Sequence, residues 1–309
     1  MCEKSVVSME DERYPRTLLD LEEPPHKLFV VGDPEVMGEP CLSVIGARRA
    51  TPYGLAVAEI AGRVAAECGV VVVSGGALGC DSAALRAAHK AGGKTVVVAG
   101  TGADVAYPRS SRDVFANAAA EGCVVSLAPW GTQPQRWAFP NRNRVIAALS
   151  RALVVTEAGE HSGTSSTAEC ANQLGRDIYA IPGSIFSPES RGSNMLISAG
   201  AAIICTEDDL EMRISLDYGV SRLVSEGAPF RPGRVLSALI ASPMRPDDLA
   251  DRLGESSLTM LKILTDYETT GVVVRLPDGR YAPSAKTLAT QEGRAKAMGF
   301  AAALCEIAG

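Results

Sequence analysis

The chain has 309 residues, 30 Lys and Arg against 36 Asp and Glu, and a formal charge of −6; 46% of it is hydrophobic and 21% charged. This is an ordinary globular composition, enough for one large domain or two unequal ones. It argues against wholesale coating of nucleic acid but leaves room for a local basic groove. No apolar run approaches the roughly 18 to 20 residues of a membrane span. The N-terminus lacks a basic segment followed by an apolar one, so no secretory signal is expected. Eight scattered cysteines without a CxxC pair, and only three histidines (His26, His89 and His161), imply a reducing cytoplasm and no metal site.

In chain order, residues 1–40 read as an N-terminal extension. From residue 41 to 212, β-branched runs alternate with amphipathic helical stretches: "CLSVIG", "GVVVVSGG", "KTVVVAGTG", "GCVVSLA", "RALVVTEA", "RDIYAIPG" and "AAIICTE". Continuous Val/Ile runs predict strands buried on both faces, the mark of a mostly parallel sheet covered by helices. The predicted fold class is therefore α/β, an open doubly wound domain whose ligand site lies at the carboxyl ends of the strands. Those ends carry Gly46, Ser74-Gly75-Gly76, Gly100-Thr101-Gly102, Ser162-Gly163-Thr164 and Pro182-Gly183. One such turn is ordinary βα-loop chemistry. Five on one sheet edge point to an anion or nucleotide groove, because glycine admits a phosphate close to the backbone and helix N-termini present free N–H groups. A GxGxxG with an acidic residue about 20 positions on is absent, so no dinucleotide cofactor, and no other cofactor, is expected.

Residues 213–230 read as a linker. Residues 231–285 carry three short helical segments and a hairpin around Pro277-Asp278-Gly279, a winged-helix pattern with Asp247 and Ser256 as N-caps of its second and third helices. The third helix sets Lys262 against Asp266 and Glu268, which favours protein contact over duplex DNA. Residues 286–309 read as an Ala-rich helical tail.

Four stretches carry candidate binding chemistry. In "VIGARRATPYG", Gly46 ends a strand, Arg48 and Arg49 follow, and Thr51-Pro52 open a helix; this is a phosphate cradle or a pair of solvated arginines. In "RWAFPNRNRVIAALS", Arg136, Arg142 and Arg144 surround Trp137, Phe139 and Pro140 inside a window free of acid from Gly122 to Thr156. The residues alone fit a helix start with buried aromatics and a platform for single strands equally well. "EHSGTSST" places Ser162, Gly163 and Thr164 at a phosphate-type turn, and "RGSNMLIS" offers Asn194 as a cap or ligand contact. No hydrolytic constellation emerges, so the chain is not expected to be an enzyme. A nucleotide phosphoribohydrolase is the alternative, but three residues past Thr164 stands Thr167, not the glutamate such a turn requires.

Taken in order, "GARRATPYG", "SGGALGCDSAAL", "GTGADVAYP", "FPNRNRVIAALS", "VVTEAGEHSGTSSTAECANQLGR" and "IPGSIFSPESRGSNMLISAGA" resemble the DNA-processing protein A family (DprA, also called Smf). The resemblance implies an extended Rossmann-like domain plus winged helix that binds single-stranded DNA in a positive pocket. It also implies a homodimer that loads the RecA recombinase during natural transformation. By position, Arg48 matches the family's "GSR" arginine, Arg136 a basic pocket residue, Phe139 a base-stacking aromatic, and Arg142-Asn143-Arg144 the "RNR" triplet. The remaining phosphate candidates are Arg49, Thr51, Gly75 and Gly102. Two departures stand out: Ala84-Leu85 lacks the family's usual histidine, and Leu127 replaces a usual glutamate. The family's optional N-terminal helical domain is expected to be missing.

Overall fold

The computed structural model describes residues 3–160, 162–220, 222 and 234–289. They fall into two compact units, one of residues 1–50 and 58–224, the other of residues 51–57 and 225–309. His161, residues 223–230 of the expected linker and residues 290–309 of the expected tail lie outside the described residues.

The first unit is built on nine strands: β1 (Lys4–Ser8), β2 (Lys27–Gly32), β3 (Cys41–Ile45), β4 (Val71–Ser74), β5 (Thr95–Ala99), β6 (Cys123–Ser126), β7 (Ala152–Val155), β8 (Asp177–Ala180) and β9 (Ala202–Ile203). Their order is β1-β2-β6-β5-β4-β3-β7-β8-β9. Every pairing from β6 to β9 is parallel, and the order reverses between β3 and β7. A reversal of this kind opens a crevice at the carboxyl ends of the strands. The helices are α1 (Pro52–Glu67), of which residues 58–67 belong to this unit, α2 (Cys80–Lys90), α3 (Arg112–Glu121), α4 (Ala138–Leu149), α5 (Gly163–Gln173), α6 (Arg191–Ser198) and α7 (Glu207–Tyr218). All residues of β3 to β7 are buried, as uninterrupted apolar runs require. At the start of α1, Thr51 accepts the Gly54 N–H on its hydroxyl at 3.1 Å, the expected N-cap.

Two boundaries differ from the sequence reading. Residues 1–40 are not a separate extension: β1 and β2 form an antiparallel hairpin, and β2 pairs antiparallel with β6, Phe29 opposite Ser126. The Phe29 ring meets Trp130 edge-on at 5.3 Å, while Lys4 reaches Asp104 at 2.7 Å and lies 5.1 Å from the centre of the Trp130 ring. The expected linker is helical to Tyr218. A capping box between Thr206 and Asp209 starts α7, and Gly219 at φ 65° ends it in the left-handed region. Arg222 then bonds to Glu67 at 2.7 Å, Glu207 at 2.8 Å and Glu211 at 2.9 Å. Burial pushes the Glu207 carboxyl up, but Arg222 and Arg63 together hold it below its ordinary value.

The second unit contains α8 (Arg234–Ala241), α9 (Pro246–Leu253), α10 (Ser257–Thr269), β10 (Val273–Arg275), β11 (Tyr281–Pro283) and α11 (Ala285–Ala289). Leu236, Leu239, Leu249, Leu264 and Tyr267 fill its core, and β10 and β11 pair antiparallel around the expected turn. Ser256 caps α10, accepting the Thr259 N–H at 3.1 Å. Asp247 is not the cap of α9: Pro246 occupies the first helical position, which moves the cap to Arg245 and leaves Asp247 in the first turn. Leu258 and Leu261 are exposed on α10, together with Lys262, Asp266 and Glu268.

Candidate nucleic-acid interface

The parallel strands end in a cleft of about 530 Å³ lined by Arg48 and Arg49 after β3, Asp81 on α2, Arg142 and Asn143 on α4, and Ser162, Gly163 and Thr164 at the start of α5. Gly46, Thr167 and Glu189 also line it. Three arginines therefore face two carboxylates there. The Glu189 carboxylate already accepts the Ser187 hydroxyl at 2.7 Å.

Two charged side chains of the cleft are buried. Asp81 is 6% exposed and Arg142 4%. Burial pushes the Asp81 carboxyl up, opposed by the Arg142 charge and by N–H groups of Ala77, Gly46 and Gly75. Gly75 is the spacer between the two charges. Its N–H donates to Asp81 at 3.2 Å, and a Cβ on it would fall 1.6 Å from Nη1 of Arg142. Burial also pushes the Arg142 guanidinium down to about 10, with Asp81 opposing, so it stays charged near neutrality. Its Nε and Nη1 are buried without a hydrogen-bond partner. Also lining the cleft, the Ser162 hydroxyl at the N-cap of α5 makes no capping bond and is likewise buried without a partner. A helix N-terminus with its dipole facing an arginine-lined cleft suits an anion.

Beside the cleft lies an aromatic platform. Phe139, in the first turn of α4, is half-buried against the end of β5, where a Cβ on Gly100 would come within 2.6 Å of the ring. Arg48 lies 5.7 Å from the centre of the Phe139 ring, and the Tyr107 ring is 5.7 Å away at a 43° tilt. Tyr107 and Trp137 are exposed. The aromatics of "RWAFPNRNR" are thus neither core nor wholly free.

The structure brings together Gly46, Arg48, Arg49, Arg142, Asn143, Ser162, Gly163 and Thr164, with Phe139 adjacent and Gly75 behind Arg142. It separates others. Arg144 turns away from the cleft and donates to the Glu23 carbonyl at 2.8 Å, because residues two apart on a helix lie roughly 200° apart around its axis. Asn194 closes a turn, its amide donating to the Gly183 carbonyl and accepting the Gly183 N–H. Gly102 braces the loop before α4 through the Thr132 carbonyl at 2.9 Å. Arg136 is exposed and Thr51 caps α1; neither lines the cleft. The Thr167 hydroxyl reaches the Gly163 carbonyl at 3.3 Å. Leu85 is buried and Leu127 packs on the core, so both departures serve packing. The sequence reading passed over Asp81 and Tyr107. Asp81 carries a legible signal, a lone acid in the glycine-rich "GGALGCD" turn.

The family model for DNA recombination-mediator protein A matches residues 5–215, and that for the DprA winged helix domain matches residues 231–279. Protein Smf of Synechocystis is 38% identical over 226 residues, 71% of this chain; the chain spans only 57% of that relative's length. Protein Smf of Escherichia coli is 32% identical over 89% of this chain and 76% of its own. The X-ray structure of DNA processing protein A from Streptococcus pneumoniae superposes with a TM-score of 0.64 at 37% identity, over 67% of this chain and 73% of that one. DNA processing protein A from Helicobacter pylori, described for its single-stranded DNA binding mode, gives a TM-score of 0.64 at 30% identity, over 71% of this chain and 100% of that one. The chain belongs to the DNA recombination-mediator protein A (DprA/Smf) family.

Proposed function

We propose that the cleft and the Phe139 platform form one groove for single-stranded DNA. The observation that carries this is the placement of Arg48, whose side chain both lines the cationic cleft and lies over the Phe139 ring, joining a phosphate site to a base-stacking site. Bases offer a π-face whatever their sequence, and arginines track the backbone; a groove combining the two holds a single strand without reading it. The family supports the same reading, as does the Helicobacter relative with its single-stranded DNA binding mode.

In this proposal the protein acts in the cytoplasm as a homodimer, protects incoming DNA and loads a RecA-type recombinase in natural transformation or recombination. Ile203 on the edge strand β9 and Met212 and Leu216 on α7 are exposed, apolar positions open to a second copy. Sedimentation of Leu216→Asp as a monomer beside a dimeric wild type is the expected result, and RecA-driven strand exchange on precoated DNA reads the loading step. A wild-type monomer, or no stimulation of exchange, removes that part.

The groove itself is tested by anisotropy titration of a labelled oligothymidylate across salt. Affinity is expected to fall linearly in log–log form, with a slope of about −0.7 per phosphate contacted. Phe139→Ala is expected to weaken binding by about 1 to 3 kcal/mol, and Arg48→Ala to flatten the salt slope. Wild-type affinity in Phe139→Ala would remove the stacking role.

A further inference from the structure

We infer that Phe186 is a second base-stacking platform, so that the bound strand crosses the sheet edge from Phe139 to Phe186. This rests on the proposed single-strand groove and gives it a far end.

Phe186 and its neighbour Ile185 are 82% and 78% exposed, among the most exposed large apolar side chains of the described residues. They form the tip of the loop that leaves β8, and that loop is held along its length. The Phe186 N–H donates to the Ser184 hydroxyl at 3.2 Å, and the Ser187 N–H to the Ser184 carbonyl at 3.0 Å. Gly183 is clamped through both backbone groups by Asn194. An aromatic ring on a braced tip loses little freedom when it binds, which favours contact over collapse.

Its position favours nucleic acid as the occupant. Two residues on, Pro188 and Glu189 line the same cleft as Arg48, Arg49 and Arg142, so the tip adjoins the cationic groove. Phe139 lies over the end of β5 and Phe186 follows the end of β8. The strands between run β5-β4-β3-β7-β8, all parallel, so both rings stand at one sheet edge. Four strand spacings of about 4.8 Å put those ends about 19 Å apart. That is the span of five or six nucleotides at the roughly 3.4 Å rise of a stacked strand, and of fewer when the strand is stretched. It falls within the about 4 to 16 nucleotides that single-strand grooves cover.

The test uses the full chain and labelled oligothymidylates of three and twelve nucleotides. Phe186→Ala is expected to weaken the twelve-mer by about 5- to 150-fold, the range of one stacked base, and the three-mer by less than about twofold. Phe186→Tyr is expected to keep wild-type affinity and Phe186→Leu to lose it, which separates stacking from simple apolar contact. The ring is exposed, so unfolding transitions should not move. Unchanged twelve-mer affinity in Phe186→Ala, equal behaviour of the Tyr and Leu variants, or equal losses on both lengths overturns the inference. If Phe139→Ala still weakens binding in that case, the groove stands without its far end. A wild-type protein that binds neither oligonucleotide overturns both.

Discussion

Asp81→Ala is expected to lower the stability of the first unit by about 1 to 3 kcal/mol, the cost of leaving buried N–H donors without their acceptor. Arg142 is buried, and Asp81 is the neighbour that favours its charge, while Arg48 opposes it. The change also takes an acceptor from N–H groups of Ala77, Gly46 and Gly75, which belong to the turns after two adjacent strands. For a unit of this size the loss corresponds to a drop in Tm of roughly 2 to 12 °C. Asp81→Asn keeps an acceptor and loses the charge, so it should fall between wild type and Ala. Urea unfolding of the three proteins decides the matter. A loss below about 0.5 kcal/mol for Asp81→Ala would show that the Arg142 charge is accommodated by something other than this carboxylate.

Gly79→Ala is expected to strike both stability and binding. Gly79 sits at φ 80°, where alanine is strained, and its added Cβ would lie 2.2 Å from the Ala47 carbonyl oxygen and 2.8 Å from that of Arg48. Those are backbone atoms, held in place by the Cys80 N–H donating to Ala47 at 3.1 Å, so no flexible side chain can give way. Strain and overpacking together should cost about 2 to 5 kcal/mol. Whatever relief the chain finds must move the Ala47–Arg48 loop, and with it the guanidinium over Phe139. Oligonucleotide affinity should therefore fall even at temperatures where the variant is folded. Gly175→Ala is the matched comparison. It has φ 64° but open space around the added carbon, so it should cost about 1 to 2 kcal/mol and leave binding untouched. If Gly79→Ala binds as tightly as Gly175→Ala, the loop does not set the position of Arg48.

The parallel sheet was legible because each of β3 to β9 lies in an apolar run closed by a small-residue turn. The hairpin was not. Its strands "KSVVS" and "KLFVVG" each carry partly exposed or exposed residues in place of an uninterrupted buried run. Nothing nearby announces that β2 pairs with a strand some 90 positions on. The end of α7 was obscured by mixed polarity, although Thr206, Asp209 and Gly219 already carry its start and stop signals. At the site, the helix period could have divided the arginines of "RNR", since two residues apart means nearly opposite faces. What no pattern could supply is the burial of Arg142 against Gly75. That contact joins α4 to the turn after β4, across 67 residues of sequence.

The pairing of β2 with β6 also sets an order of events. The stretch that leaves the ribosome ahead of the parallel strands finds its sheet partner at Cys123 to Ser126. Until those four residues are available, β2 has only β1 beside it, and a two-stranded ribbon is marginal on its own in water. During synthesis the hairpin therefore waits as an unsupported arm while about 90 further residues are added. The hairpin precedes the parallel strands in the chain and can be seated only after the fourth of them, β6, is in place.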